Sequence, residues 1–345
     1  DMPDERKLHT TPISSLGGLG IFIGFMMGLL LATNNIKETL GFQYYIAAFM
    51  VIFFFGIKDD ILVLSPIKKL IGQFIVAFIL IGKAGLLITN MHGFLYIGTI
   101  NVTMSYCLTL FTILVVMNAY NLIDGVDGLA GTIGIITSSI FGFFFFQNGD
   151  IFFSLIGFSF AASLLAFLIY NYSPAKIFMG DTGSLLIGLF NSIMVIKFIN
   201  IAGSADVKLP LAAAPAIGFA ILIVPLFDTL RVFSLRILDR RSPFSPDRTH
   251  VHHFLLEHGF SHKMVTFLCV GTNIGFILLT YFIRNLGTTT VLSILFCIAI
   301  SLVAIIYYNR PMKVSGAATS FLTEEKLTKK AKIFSLGKIT HNPFK

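Results

Sequence analysis

Ten apolar runs, each of roughly the length that crosses a bilayer as a helix, constrain this chain more than anything else in it. They fall at about 16–33, 42–57, 70–88, 104–118, 129–147, 151–170, 183–200, 211–228, 264–283 and 291–308. No soluble core needs this much apolar surface: 55% of the residues are hydrophobic, 12% are charged, and the mean hydropathy is +0.85. Inside hydrocarbon every backbone N–H and C=O must be paired within the segment, which leaves helices for runs of this length. The expectation is an all-α integral membrane protein, a polytopic bundle of about ten transmembrane helices. Residues 1–308 would form a single transmembrane domain, followed by a basic tail at 309–345.

The polar connections orient the bundle. Alternate connections (1–15, 58–69, 119–128, 171–182, 229–263 and the tail) hold 20 of the 25 Lys and Arg. The positive-inside rule puts that set in the cytoplasm. The same rule accounts for the net charge of +8 without nucleic acid as a partner. On the other side, alternation around Tyr96 and Ile100, with Gly98 between, suggests a small extracytoplasmic β-hairpin within 89–103. Cys107, Cys269 and Cys297 sit in apolar runs at no metal spacing and read as small buried hydrophobes. The chain opens directly in a charged loop without a signal-peptide pattern, so a further N-terminal piece is expected to precede it.

The chemistry-bearing residues collect on the basic side. Asn118, Asn121, Asp124 and Asp127 recur at a spacing of three, interleaved with Gly125, Gly128 and Gly131. A helix would align these four groups on one face, whereas Asn, Asp and Gly are also ordinary turn residues. Charged groups at membrane depth cost at least about 2.5 kcal/mol each, which argues against a passive role. Asp59-Asp60 precede Pro66, Lys69 and Gln73, and taken alone could cap a helix end. Asp181 lies between Gly180 and Gly183 at the start of the next apolar run, where an N-cap is an equal alternative. The 229–263 connection carries Arg236, Arg240, Arg241 and Arg248 beside His250, His252 and His253. With no Cys nearby, that cluster reads as an anion grip rather than a zinc site. Hard oxygen ligands suit Mg²⁺ or Mn²⁺, whose shells are commonly completed by substrate phosphates. Oxygen ligands and an Arg/His grip on one membrane face point to phosphoryl transfer involving a lipid phosphate.

With these motifs in their order, the chain resembles the polyprenyl-phosphate N-acetylhexosamine-1-phosphate transferases, integral membrane enzymes that use a UDP-sugar donor. The matching residues are Asp1 to His9 with Pro12, Gly17-Gly18, Asp59-Asp60, Pro66 with Lys69 and Gln73, Asn118 to Gly131, Phe178 to Ser184, and Ser242 to His253. They extend to about residue 262; the last two spans and the tail carry no signature. His-Val-His-His followed by Phe-Leu-Leu-Glu-His-Gly-Phe-Ser resembles the branch that primes O-antigen, enterobacterial common antigen or teichoic-acid linkage units. The peptidoglycan branch, which transfers phospho-MurNAc-pentapeptide, usually has three consecutive His there, and Val251 departs from that pattern.

The resemblance implies transfer of N-acetylglucosamine-1-phosphate, or a related N-acetylhexosamine-1-phosphate, from the UDP-sugar to undecaprenyl phosphate, with release of UMP. It places the metal, Mg²⁺ with Mn²⁺ as a substitute, on Asp181 with Asn121. Asp59 and Asp60 would activate or position the lipid phosphate, with Lys69 paired to it. Asp124 and Asp127 would shape the donor site at the catalytic centre. Asn118, Arg236, Arg240, Arg248, His250, His252 and His253 would bind substrate. In-line attack needs fewer assumptions than a double displacement through an aspartyl-phosphate. The expected setting is the bacterial inner membrane with the active site facing the cytoplasm, and a homodimer stays open. Family members usually carry one more span before the Asp-x-Pro loop, which would make eleven. Competing readings are the peptidoglycan transferase, an ion-coupled transporter and a non-catalytic lipid-binding scaffold. A transporter should instead place its carboxylates at mid-membrane within repeated halves.

Overall fold

The computed structural model describes residues 13–33, 41–204, 207–240 and 250–309. The Asp1–Pro12 motif, Arg248 and the tail from 310 lie outside them. The described chain is an all-α polytopic membrane protein with one small hairpin. Its elements are α1 (Gly17–Ala32), α2 (Phe42–Leu62), α3 (Pro66–Gly82), β1 (Asn90–Phe94), β2 (Ile97–Thr99), α4 (Val102–Ile123), α5 (Leu129–Gln147) and α6 (Ile151–Asn171). Then follow α7 (Gly180–Ala202), α8 (Ala214–Ile221), α9 (Ile223–Leu238), α10 (Val251–Glu257), α11 (His262–Ile283) and α12 (Thr288–Tyr308). Side-chain caps start several of them: Asn101 accepts from the Met104 amide, Asp150 from Phe153 and Ser261 from Met264. Pro66 occupies the first position of α3, where its missing N–H costs nothing.

Helices fill all ten predicted positions, but among the described residues six are long and apolar enough to cross a membrane, or seven if α8 and α9 count as one span. Helix α1, at 16 residues, reaches about 24 Å against a hydrocarbon layer of about 30 Å. The predicted single run at 211–228 is corrected by a bend of 87° between α8 and α9. Pro225 causes it, because its ring cannot donate to the Ile221 carbonyl four residues back. Asn273 on α11 donates its Nδ2 to that carbonyl at 3.1 Å, so the broken turn is satisfied from a neighbouring helix. Two of the three cysteines also depart from expectation. Cys269 is buried, but Cys107 and Cys297 are exposed, on outward faces where an apolar thiol meets lipid at little cost.

The centre of the bundle is α7. Every residue from Thr182 to Ile196 is buried, because α1, α2, α4, α5 and α8 surround it. Glycines let the backbones approach. A Cβ at Gly188 would lie 2.6 Å from the Met117 Cα, and one at Gly56 would lie 2.5 Å from the Thr182 Cα. Phe160 stacks on Phe190 at 4.3 Å and meets Phe25 edge-on at 5.0 Å, joining α6, α7 and α1.

The hairpin expected within 89–103 forms, pairing Asn90 with Thr99 and Phe94 with Ile97. Leu95 and Tyr96 at its turn both have positive φ, the geometry of a tight hairpin turn. Thr288 and Thr289 at the start of α12 bind its backbone. At the other end of the bundle, residues 14–18 lie beside 177–179. There the Phe178 amide donates to Ser14, and the Gly17 and Gly18 amides donate to Phe178 and Met179.

Candidate active site

The stretch 118–131 is half helix and half turn. Asn118 and Asn121 lie on the last turns of α4, Asp124 follows its last residue, and Asp127 sits in the turn before α5. A single helical face carrying all four groups is therefore not what the chain builds. Gly128, with φ +76°, reverses the backbone in a region that strains other residues.

The start of α7 meets this turn. Its first amides are capped from α2: Asp60 accepts from the Asp181 and Thr182 amides at 2.7 and 3.1 Å, and from the Thr182 hydroxyl at 2.5 Å. A carboxylate there satisfies orphan donors and the positive end of the helix dipole together. Gly180 is required at this junction, since its φ is +71° and a Cβ would lie 2.5 Å from the Ser15 carbonyl and 2.7 Å from Asp60. Asp181 is not the cap. Met179 holds that position, and the Asp181 side chain points to other partners. Its Oδ2 accepts from Lys69 Nζ at 3.0 Å, and its Oδ1 contacts the Asn121 amide nitrogen, which also reaches Ser184 Oγ at 3.0 Å. Lys69 pairs at 2.5 Å with Asp59, whose other oxygen takes the Leu64 amide. Asn118 donates to Gln73 Oε1 at 2.8 Å, tying α4 to α3. Lys69 thus bridges α2 and α7 from α3, between two carboxylates.

Asp124 completes the cluster. Burial pushes its carboxyl up, and the nearby charges of Asp181, Asp60 and Asp127 push it further, well above the usual carboxylate range. Asp127 shows the reverse balance. Burial raises it, but His262 and the Ala175 amide outweigh that and hold it below the ordinary value. Its Oδ2 takes the Ala175 amide at 3.2 Å, its Oδ1 faces His262 Nδ1 at 3.3 Å, and its carbonyl takes Thr266 Oγ1 at 3.0 Å. Asp127 therefore knits the α4–α5 turn to the 172–179 loop and to α11.

The His segment packs on the same turn. A Cβ at Gly125 would lie 2.9 Å from His252 Nε2. The His250 and His252 rings are parallel with centroids 5.7 Å apart, and His252 and His253 lie 4.3 Å apart. Burial first, then the neighbouring His253, hold His252 down to about 3, so it is neutral at physiological pH. His250 Nδ1 contacts Asp228 at 2.8 Å. Arg236 is buried over the Phe233 ring, and Arg240 is exposed two residues beyond α9.

The structure therefore brings Asp59, Asp60, Lys69, Asn121, Asp124 and Asp181 together, with Asn118 and Asp127 flanking and His250, His252 and His253 across Gly125. Thr182 and Ser184 fall inside the matched Phe178–Ser184 motif, and Asn171 shortly before it, but none had a predicted role. Sequence reasoning passed over Asp228 and His262, of which Asp228 left a signal as a lone acid closing an apolar run. Beside the His segment a cavity of about 320 Å³ opens, lined by apolar groups including Ile123, Leu129, Phe227, Leu255 and Phe276.

Among the described residues no three His, Cys, Asp or Glu side chains are grouped to hold a metal by themselves. Asp181 and Asn121, in contact at the start of α7, are the oxygen-bearing pair that could hold a divalent cation.

Residues 42–199 match the model of glycosyl transferase family 4. A Bacillus subtilis protein described as a probable undecaprenyl-phosphate N-acetylglucosaminyl 1-phosphate transferase is 36% identical over 264 residues, 76% of this chain and 71% of that one. A Mycobacterium leprae decaprenyl-phosphate N-acetylglucosaminephosphotransferase is 34% identical over 290 residues, 77% of this chain and 72% of its own length. A Yersinia pestis undecaprenyl-phosphate alpha-N-acetylglucosaminyl 1-phosphate transferase is 29% identical over 268 residues, 76% and 71% of the two chains.

Proposed function

Because the chain belongs to the polyprenyl-phosphate N-acetylhexosamine-1-phosphate transferases, within glycosyl transferase family 4, we propose that it moves N-acetylglucosamine-1-phosphate from UDP-GlcNAc to undecaprenyl phosphate. The observation that carries this reading is the meeting of Asp181, Lys69, Asn121 and Asp124 at the start of α7. The peptidoglycan and transporter alternatives lose support, since the relatives above are named for N-acetylglucosamine-1-phosphate transfer.

An acceptor phosphate oxygen attacks the β-phosphorus of the donor. The new P–O bond forms as the bond to the α-phosphate oxygen breaks, and UMP carries away the electron pair. A lipid phosphate with a second pKa near 6 is already mostly a dianion at pH 7, so no strong base is required. Asp181 and Asn121 would hold Mg²⁺, with the Asn121 amide turned to present its oxygen. When bound, the ion supplies charge neutralisation across the diphosphate. Lys69, released from one carboxylate, can pair with the acceptor phosphate. Asp60 holds α7 in place, and Asp127 holds the 172–179 loop against the turn. The apolar cavity suits the first isoprene units of the acceptor. Arg240, Arg248 and the three His would grip the sugar diphosphate.

The test is UMP release by purified protein with undecaprenyl phosphate, Mg²⁺ and a panel of UDP-sugars. UDP-GlcNAc is expected to support turnover and UDP-MurNAc-pentapeptide not to. Turnover of the pentapeptide donor alone would refute the branch assignment and leave the family membership standing.

A cytoplasmic active face rests on the split of Lys and Arg, 20 against 5. Single Cys probes at Lys176 and Ser245, in a background lacking the exposed Cys107 and Cys297, should label only from the cytoplasm. A probe at Asn148 should label only from outside. Labelling of Lys176→Cys from outside would invert the orientation.

A further inference from the structure

Asp228, near the start of α9, is a buried acid for which the proposed reaction has so far no use. Three donors converge on it. Arg231 reaches Oδ1 at 2.8 Å, the Val251 amide reaches the same oxygen at 3.1 Å, and His250 Nδ1 contacts Oδ2 at 2.8 Å. Arg231 also lies over the Phe254 ring at 5.3 Å, a second tie between α9 and α10. Taking a carboxylate out of water costs several kcal/mol unless partners of this kind surround it. Capping α10 would occupy one oxygen only, since its N-cap, His250, makes no side-chain cap of its own. The second oxygen is committed to the imidazole.

We propose that Asp228 is a positioning residue of the sugar-diphosphate site, which fixes the His250 ring by its Nδ1 and thereby the nitrogen that His250 offers to the ligand. This rests on the transferase reading given above. With Nδ1–H donated to the carboxylate, Nε2 is the ring atom left for substrate. When Nε2 carries a proton and donates to a phosphate oxygen, Asp228 balances the charge on the ring. The groups facing His250 are Asp228, Arg231 through that carboxylate, and the imidazoles of His252 and His253. Asp228 itself need not touch substrate.

The experiment is a double-mutant cycle on the full chain in nanodiscs, comparing wild type, Asp228→Asn, His250→Gln and the double variant. Asparagine has a single oxygen, which can keep the Val251 amide and Arg231, while its NH2 faces His250 Nδ1 and removes the acceptor for Nδ1–H. The ring is released, with a moderate fall in thermal midpoint from the charge lost beside Arg231. The KM for UDP-GlcNAc in UMP release is expected to rise about tenfold, the lower end of what losing the partner that orients a metal-bound His costs. The double variant should be no worse than the poorer single one, because Asp228 acts through His250. Additive losses, or an unchanged KM with a lowered thermal midpoint, would reduce Asp228 to a structural residue. Ring nitrogen-15 spectra, with His250 assigned by difference from His250→Gln, give a readout that needs no turnover. A His250 signal altered by Asp228→Asn in a protein that turns over no UDP-sugar would uphold the pair and sink the reaction. An unaltered signal in an active protein would sink the pair.

Discussion

Asp181→Asn is expected to lower UMP release by orders of magnitude while leaving expression and thermal stability near wild type. If Asp181 were an N-cap, Asn would serve almost as well, because both residues cap strongly. The cap of α7 comes instead from Asp60, and the Asp181 oxygens face Lys69 and Asn121. An amide in that place keeps an oxygen but loses the charge that offsets the dehydration of Mg²⁺. High Mg²⁺, or the more readily bound Mn²⁺, should recover part of the rate. The measurement is UMP release across a Mg²⁺ titration for both proteins. A variant with near wild-type rate and unchanged Mg²⁺ dependence would move the metal to Asp59, Asp60 or Asp124.

Gly18→Ala should damage the protein severely, and Gly20→Ala, two residues along the same helix, should not. A Cβ at Gly18 would lie 2.3 Å from the Gly183 amide nitrogen and 2.7 Å from the Thr182 Cβ. Backbone cannot rotate away, so α1 and α7 must separate where Asp60 caps α7 and Asp181 emerges. Overpacking of this kind costs about 1–3 kcal/mol or more, and here it also displaces Asp181. At Gly20 nothing lies within 4 Å, and Ala there should be neutral or stabilise by about 0.5–1 kcal/mol through its better helix propensity. Thermal midpoints and UMP release of the two variants decide the matter. Equal behaviour would mean that the α1–α7 contact is not the tight one described.

The polar stretch 118–131 shows how far pattern carries. Its spacing of three picked out four polar residues, yet the helix stops at Ile123 and the two acids belong to a turn. Spacing alone cannot see that stop, because Asn, Asp and Gly are at home in both settings. The predicted run at 211–228 failed for a related reason. Hydropathy averages over Pro225, and the 87° bend persists because Asn273, 52 residues from the Ile221 carbonyl, satisfies the broken turn.

What the sequence determined by itself is the class of structure and the side of the bundle on which its Lys and Arg collect. Apolar runs of that length can pair their backbone only as helices, and the bias of Lys and Arg marks one side of the bundle. Family motifs then pointed to Asp59, Asp60, Asn121, Asp124, Asp181 and the His segment. The tertiary structure alone decided which carboxylate does what. Asp60 and Asp59 are neighbours in sequence, but one caps α7 across 121 residues while the other pairs with Lys69. Lys69 in turn reaches Asp181 across 112 residues. Adjacent side chains on a helix point about 100° apart, so identical residues face different neighbours. Which neighbours those are depends on glycine contacts that bring α1, α2 and α7 within backbone distance, and no local pattern encodes that packing.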